Sequence, residues 1–170
     1  MSTSASRYRR AFAGLAATAV AASGLAALAP TAVAAEGFAL TRVEGADRFA
    51  TAAQIARDAF DTASTVVLAS GEAGHYADAL AGNHLAGRLG APILLAGRDT
   101  LPAATAEALR ALGAQDVVVL GGPGAIGAGV EAALAATYGV RRIAGSDRYT
   151  TTQQIATDPA SADVGSVAIC

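Results

Sequence analysis

The sequence contains no lysine and no tryptophan, and its single cysteine in 170 residues is Cys170, at the last position. One cysteine excludes an internal disulfide framework, and it leaves no cysteine cluster with the spacing of a zinc site. Twelve arginines and fourteen acidic residues give a formal net charge of −2. Because DNA-binding and RNA-binding proteins need a basic surface, this balance argues against a nucleic acid as partner.

The first 35 residues have the pattern of a secretory signal peptide. Three arginines among the first ten residues precede an apolar stretch at 11–29 and small residues at 32–34 that suit cleavage. The alternative is a retained membrane anchor, but alanine, glycine and threonine dominate the stretch, which is weakly hydrophobic for a span of about 20 residues. We therefore expect an exported chain of about 135 residues, whose nine arginines against fourteen acidic residues give a net charge of −5.

Short apolar runs alternate with longer segments rich in alanine, leucine, glutamine and arginine. This alternation predicts βαβ units and an α/β fold with a mostly parallel sheet covered by helices on both faces. The predicted strands are residues 39–43, 65–69, 92–96, 116–120, 140–144 and 166–170. Pro102 and Gly113 mark the limits of one predicted helix, and Gly90 ends another that begins near Tyr76.

One phrase occurs twice, because RVEGADRFATAAQIA at 42–56 returns as RIAGSDRYTTTQQIA at 142–156 with eight identical residues at an offset of 100. A period that spans several elements indicates a domain-sized tandem repeat whose copies pack on one another. We therefore expect a first repeat at 38–140 and the start of a second, truncated repeat at 141–170. The second copy ends within a predicted strand, so we expect a fragment of a longer protein with an unpaired strand edge.

Asp47 and Asp147 stand at equivalent positions of the repeated phrase, each directly before a helical pattern. Aspartate at this position is typical of an N-cap that accepts hydrogen bonds from backbone N–H groups. The following residues, Arg48 and Arg148, place a cation in the first helical turn, where it opposes the helix dipole. Each arginine therefore needs another partner, which is either an acidic residue of the same or the next repeat or an anionic ligand at a seam between repeats.

Two other segments have residue types found in cofactor or catalytic sites. GPGAIG at 122–127 follows a predicted strand and matches GxGxxG, but no acidic residue ends the next strand to bind a ribose, so a tight glycine turn is favoured. His75 and His84 flank Asp78 without the further ligands or nucleophile of a metal or hydrolytic site. The sequence therefore predicts no catalytic residue, no cofactor and no metal site.

Six segments together resemble the cell wall-binding repeat 2 family across most of residues 38–170. In chain order they are RVEGADRFATA, VVLASGE, YADALAG, LAGRLGAPILLAG, VVVLGGPGAI and RIAGSDRYTT. The resemblance implies export by a Gram-positive bacterium and tandem α/β modules, each like a reduced Rossmann unit, usually three around a pseudo-threefold axis. It also implies noncovalent attachment to anionic cell-wall polymers, with further copies of the repeat, in the same or another chain, as packing partners.

The family links its PILL element to polymer binding, and the element is present here as Pro92, Ile93, Leu94 and Leu95. Because the chain is acidic, an anionic polymer needs a local basic cluster or a bridging cation. The candidate arginines are Arg48, Arg88, Arg98 and, in the second copy, Arg148. We therefore expect a secreted, cell wall-associated module that is not an enzyme. The alternatives are the anchor of an N-acetylmuramoyl-L-alanine amidase whose catalytic domain lies outside this chain, and the scaffold of a surface adhesion protein.

Overall fold

A computed structural model describes residues 41–161 of the chain, which form a four-stranded sheet and five helices. The strands are β1 Thr65–Ser70, β2 Ile93–Ala96, β3 Asp116–Leu120 and β4 Gly139–Ile143. The helices are α1 Arg48–Ala59, α2 Tyr76–Leu89, α3 Ala103–Ala111, α4 Ala128–Ala135 and α5 Arg148–Ala156. Four of the six predicted strands are confirmed within one or two residues, and so is the α/β class.

The sheet is entirely parallel, with the strand order β2-β1-β3-β4. Leu68 of β1 lies opposite Leu94 of β2 on one side and opposite Val119 of β3 on the other. The chain therefore moves outward from β1 to β2 and then returns to the far side of β1 to form β3. Because the direction of winding reverses there, the carboxyl ends of β1 and β3 bound a topological switch point.

Each face of the sheet has its own apolar core. On one face Ala53 of α1, Leu109 of α3 and Leu134 of α4 cover the sheet, and on the other Leu85 of α2 and Ile155 of α5 do so. Every residue of β1 and β3 after the first is buried. This continuous burial explains why the interior residues of these strands are apolar rather than alternating, as is typical of parallel strands covered on both faces.

The predicted strand at 39–43 is wrong in the part that the structure describes, because residues 41–43 are irregular and exposed. The equivalent residues of the second copy form β4, which pairs with β3. A strand needs a neighbour to satisfy its backbone groups, and within residues 41–161 nothing pairs with 41–43. The predicted strand 166–170 and the predicted signal peptide lie outside the described residues, within which no helix combines the length and apolar character needed to cross a membrane.

The predicted helix limits are confirmed by their hydrogen bonds and backbone angles. Asp47 accepts a 2.7 Å hydrogen bond from the backbone N–H of Ala50, and Asp147 accepts one of 2.8 Å from that of Thr150. Gly90, which ends α2, and Gly113, just after α3, have φ angles of 60° and 68°, in the left-handed region that favours glycine. Pro102 is the N-cap of α3, one residue before its first turn.

Candidate functional site

The carboxyl edge of the sheet holds most of the polar side chains that the sequence singles out. In open α/β sheets, ligands bind in the crevice outside the carboxyl ends of the strands at the switch point. Here the loop at 71–75 after β1 and the loop at 121–127 after β3 border the equivalent position. We call it the switch crevice.

Arg48 crosses this edge from the start of α1. Its Nη1 atom donates to the carbonyl oxygen of Gly71 and to the hydroxyl of Tyr76, both at 2.8 Å. A Cβ at Gly71 would lie 2.5 Å from Cε1 of Phe49, so glycine lets the two segments approach this closely. Both acceptors of Arg48 are neutral, and within residues 41–161 no ion pair joins this exposed arginine to an acid.

Asp78 lies in the first turn of α2, beside the loop after β3, and is only 8% exposed. Its Oδ2 atom lies against Gly121, where an added Cβ would overlap it and where φ is +88°. Burial raises the pKa of Asp78, although the nearby charges of His75 and Arg148 act in the opposite direction. Among the described residues 41–161, the ion pairs do not join Asp78 to either residue.

The glycine turn after β3 is held in place by hydrogen bonds within the chain. The N–H groups of Ala125 and Ile126 donate to the carbonyl oxygen of Gly122 at 2.9 and 3.1 Å, and the N–H of Gly127 donates to the backbone carbonyl oxygen of Arg98 at 2.7 Å. These amides already have acceptors within the chain, and α4 begins only at Ala128. The segment therefore has the role of a tight glycine turn between β3 and α4, which is the interpretation that the sequence favours.

Arg142 is a residue that sequence reasoning missed. From β4 it donates to the carbonyl oxygens of Gly121 and Ile126 and pairs with Glu131 at 2.9 Å. Its side chain is only 15% exposed, so it fixes the turn that borders the switch crevice. The available signal was a pair of arginines inside a predicted strand, which calls for specific acceptors. Its neighbour Arg141 pairs with Asp158.

Three of the four candidate arginines share the carboxyl edge. Besides Arg48, this edge carries Arg148 at the start of α5 and Arg98 in the loop after β2. The side chain of Arg98 is 61% exposed, and its Nε lies 3.9 Å from Oδ1 of Asp99. Arg88 belongs to the last turn of α2, at the opposite edge, because a helix of 14 residues spans about 20 Å. Arg88 is therefore not brought together with the other three.

Pro92 of the PILL element directly precedes the edge strand β2, and the other three residues of the element begin that strand. The carbonyl oxygen of buried Pro92 accepts a 3.0 Å hydrogen bond from Val67, and Leu94 is fully buried between β1 and the helices of one face. Ile93 and Leu95 are half-buried against the core of the other face. Leu94 thus has no surface to offer a polymer, and polymer binding by this element stays a prediction.

The two histidines are exposed, His75 directly before α2 and His84 within it. Within residues 41–161, no group of three histidine, cysteine, aspartate or glutamate side chains is placed to hold a metal ion.

A family model described as cell wall binding domain 2 (CWB2) matches residues 42–131. Two similar proteins come from Bacillus subtilis (strain 168). The N-acetylmuramoyl-L-alanine amidase LytC is 34% identical over 116 residues, which are 68% of this chain and 23% of LytC. The amidase enhancer is 31% identical over 122 residues, which are 72% of this chain and 17% of that protein. The chain therefore spans less than a quarter of the length of either relative.

Two solved structures from Clostridium difficile have a similar fold. Cwp6 aligns with a TM-score of 0.62 at 37% identity over 67% of this chain and 18% of its own. Cwp8 aligns with a TM-score of 0.62 at 31% identity over 67% of this chain and 20% of its own.

Proposed function

Since this chain belongs to the cell wall binding domain 2 family, we propose that it holds a secreted protein on the bacterial envelope by noncovalent contacts with an anionic wall polymer. Cell-wall binding follows from the family, whereas the charge of the polymer, the secretion and the contacting residues are our proposal. The likeness to a small part of an amidase and of an amidase enhancer supports a binding module that is not itself the enzyme.

The observation that carries the proposal is the group of arginines at the carboxyl edge. Arg48, Arg98 and Arg148 are exposed there, although the chain as a whole is acidic. The hydrogen bonds of Arg48 go to neutral oxygens, so its positive charge stays available to a ligand. A local cationic edge attracts an anionic polymer even when the net charge is negative, and this attraction weakens as salt screens it.

A tandem arrangement of repeats, with a first repeat at 38–140 and the start of a second at 141–170, is part of the proposal. Helices α1 and α5 carry the same phrase but bury opposite faces. In α1, Ala53 is fully buried while Ile55 is 51% exposed. In α5 the equivalent Gln153 is exposed, while Ile155 is buried against the face of the sheet that α2 covers. This difference between the buried faces of α1 and α5 supports an arrangement in which α5 packs on the first repeat. The opposite face of α5 would then be free to pack on the second repeat.

Repetition matters for affinity because each module offers few charged contacts. Several weak contacts on one polymer add through effective concentration, so a chain with more repeats is held more tightly than one with fewer. Export through the predicted signal at 1–35 would bring the module to the outer surface where such polymers lie.

The test is retention of the chain on purified Bacillus subtilis wall sacculi, before and after acid extraction of the attached polymers. We expect retention on native sacculi and little retention on stripped ones, with retention falling as salt rises. Arg148→Ala should weaken retention. Its matched control is Arg110→Ala, which removes an exposed arginine from the last turn of α3, away from the carboxyl edge of the sheet. Equal retention on native and stripped sacculi would contradict the ligand assignment.

The similarity to LytC favours a second candidate, in which this segment anchors an amidase. The corresponding measurement is release of soluble muropeptides from sacculi by the product of the full reading frame. Release by that product, but not by residues 1–170, would assign catalysis to a region outside this chain. Release by residues 1–170 alone would contradict the non-enzymatic role.

A further inference from the structure

The first copy of the repeated phrase leaves exposed several residues whose equivalents in the second copy are buried. The side chain of Arg42 is 83% exposed, whereas that of the equivalent Arg142 is 15% exposed. Val43 is 37% exposed and the equivalent Ile143 is 6% exposed, and Ile55 differs from its equivalent in the same direction. Single exposed apolar residues are common, but equivalent pairs that all differ in one direction indicate a surface without its partner.

The contacts of the second copy identify the kind of partner that fits this surface. Strand β4 pairs in parallel with β3, and Arg142 donates to the glycine turn after β3 and pairs with Glu131. Ile155 packs on the face of the sheet that α2 covers. A repeat thus offers the phrase that follows it a strand edge, acceptors in its glycine turn and an apolar surface beside its second helix.

The first copy already has most of the conformation in which the second copy is docked. The N-cap aspartates of the two copies have φ angles of −150° and −149°. The N–H of Gly45 donates to Oγ1 of Thr51 at 3.0 Å, and that of Gly145 donates to Oγ1 of Thr151 at 2.9 Å. Because the copies differ mainly at 41–43, which are irregular where the second copy forms β4, docking needs little reorganisation.

Arg42 forms a weak contact in its exposed position. Its Nη1 atom lies 3.7 Å from Oε2 of Glu44, whose side chain is also exposed. Exposed ion pairs contribute little to stability, so this contact does not hold Arg42 back from a better set of acceptors. The acceptors of Arg142 are such a set, and they accept from the same residue type.

We infer that the first copy of the phrase is a docking element for a second copy of the repeat. Residues 41–43 add a strand beside its third strand, and Arg42 binds its glycine turn as Arg142 does here. Ile55 packs beside its second helix, while Ala53 stays buried in its own repeat, so α1 lies between two sheets. The inference extends the tandem arrangement proposed above to the first copy, and it does not depend on the wall polymer.

The test traps the docked strand with a disulfide between two full-length chains. Val118 of β3 lies opposite Arg141 of β4, whose equivalent beside the first copy is Thr41. One chain carries Thr41→Cys and the other Val118→Cys, each with Cys170→Ser so that the natural thiol cannot react. Neighbouring strands lie about 4.8 Å apart, which a disulfide can span. The disulfide captures chains in which the first copy of one has replaced β4 of the other.

Mixing the two chains under mild oxidation should give a cross-linked dimer. Its yield should exceed by about fivefold that of a control pair with Val66→Cys in place of Val118→Cys, because Val66 is buried in a central strand with neighbours on both sides. Adding Ile155→Ala to the Val118→Cys chain should raise the yield further, since its own α5 then competes less well. Adding Arg42→Ala or Ile55→Ala to the Thr41→Cys chain should lower the yield towards the control.

Arg110→Ala in the Thr41→Cys chain is the matched control for Arg42→Ala, because it removes an exposed arginine from α3. It should leave the yield unchanged, and circular dichroism establishes that every variant is folded.

Three results would overturn the inference. Equal yields with Val118→Cys and Val66→Cys would mean that the chains meet at random. A yield that neither Arg42→Ala nor Ile55→Ala lowers would mean that the first copy does not make the contact. A yield that Ile155→Ala does not raise would mean that the two copies do not compete for one edge. Retention of the wild-type chain on native sacculi is measured separately, so wall binding would stand in each case.

Discussion

At the scale of single residues, Asp78 is unusual because its burial works against its ionised form. Burial raises its pKa above the ordinary value of 3.8, and the nearby His75 and Arg148 only partly oppose that rise. A group whose pKa is raised on folding stabilises the fold at pH values below its unfolded pKa, and this contribution is lost as pH rises through its folded pKa. Ionised Asp78 therefore costs stability near neutral pH.

Asp78→Asn should consequently be more stable than the wild-type chain at neutral pH. The difference in the free energy of unfolding should be smallest near about pH 4 and should grow towards about pH 7. Urea unfolding of both proteins across this range measures it. A variant that is less stable than wild type at neutral pH would indicate that the carboxylate is satisfied within the chain.

Arg142 is the residue on which the glycine turn depends. It donates to two carbonyl oxygens of the turn and pairs with Glu131 from a position that is 15% exposed. Arg142→Ala should lower the free energy of unfolding by about 2–4 kcal/mol, because it leaves a partly buried carboxylate and two carbonyl groups without their donor.

The matched control for Arg142→Ala is Arg110→Ala, at an exposed position of α3. This substitution should change stability by less than about 0.5 kcal/mol. Urea midpoints at equal m-values measure both effects. A loss of similar size in the two variants would show that the contacts of Arg142 with the turn are not specifically stabilising.

At the scale of elements, the sequence predicted the strands and helix limits that depend on local signals. The runs at 65–69 and 116–120 became buried central strands, and the aspartates before α1 and α5 became N-caps. The strand at 39–43 was predicted from the same kind of local pattern, but residues 41–43 do not form one. Whether an apolar segment forms a strand depends on a neighbouring strand that pairs with its backbone groups. A local sequence pattern does not reveal whether that neighbour is present.

The N-cap of α1 gives a prediction at this scale. Asp47→Ala should lower the free energy of unfolding by about 1 kcal/mol, because the first helical turn loses the acceptor for the N–H of Ala50. Asp47→Ser should recover most of that loss, since serine is also a favourable N-cap. Thermal and urea unfolding of the two variants provide the measurement, and equal losses in both would contradict a capping role.

The candidate site was harder to predict than the fold. Arg48 and Arg148 were selected because a cation at a helix start needs a partner, and the partner of Arg48 proved to be a neutral carbonyl and a hydroxyl. Asp78 is not a site residue that the sequence predicts, because its burial depends on Gly121 lying against it, 43 positions along the sequence. Contacts at such separations arise from the order of the strands.

At the scale of the whole molecule, the two copies of the repeated phrase occupy unequal environments. Ile155 is 1% exposed, whereas the equivalent Ile55 is 51% exposed. Ile155→Ala should therefore lower the free energy of unfolding by about 2–4 kcal/mol. Ile55→Ala should change it by less than about 1 kcal/mol, because little buried surface is lost.

This matched pair tests whether the second copy of the phrase packs on the first repeat in solution. Urea unfolding of the two variants under identical conditions gives the comparison. Similar small losses in both would mean that α5 is not docked on the face that α2 covers. Similar large losses would mean that α1 buries Ile55 by association, which sedimentation at several protein concentrations would detect.

The most direct test of the central claim, that this module binds an acidic wall polymer, is the ratio of the chain's dissociation constants for native and acid-extracted sacculi at about 0.15 M salt. The account predicts at least about tenfold tighter binding to native sacculi, with most of the difference lost near 1 M salt as screening shortens the range of the arginine charges. Equal dissociation constants at both salt concentrations would contradict it.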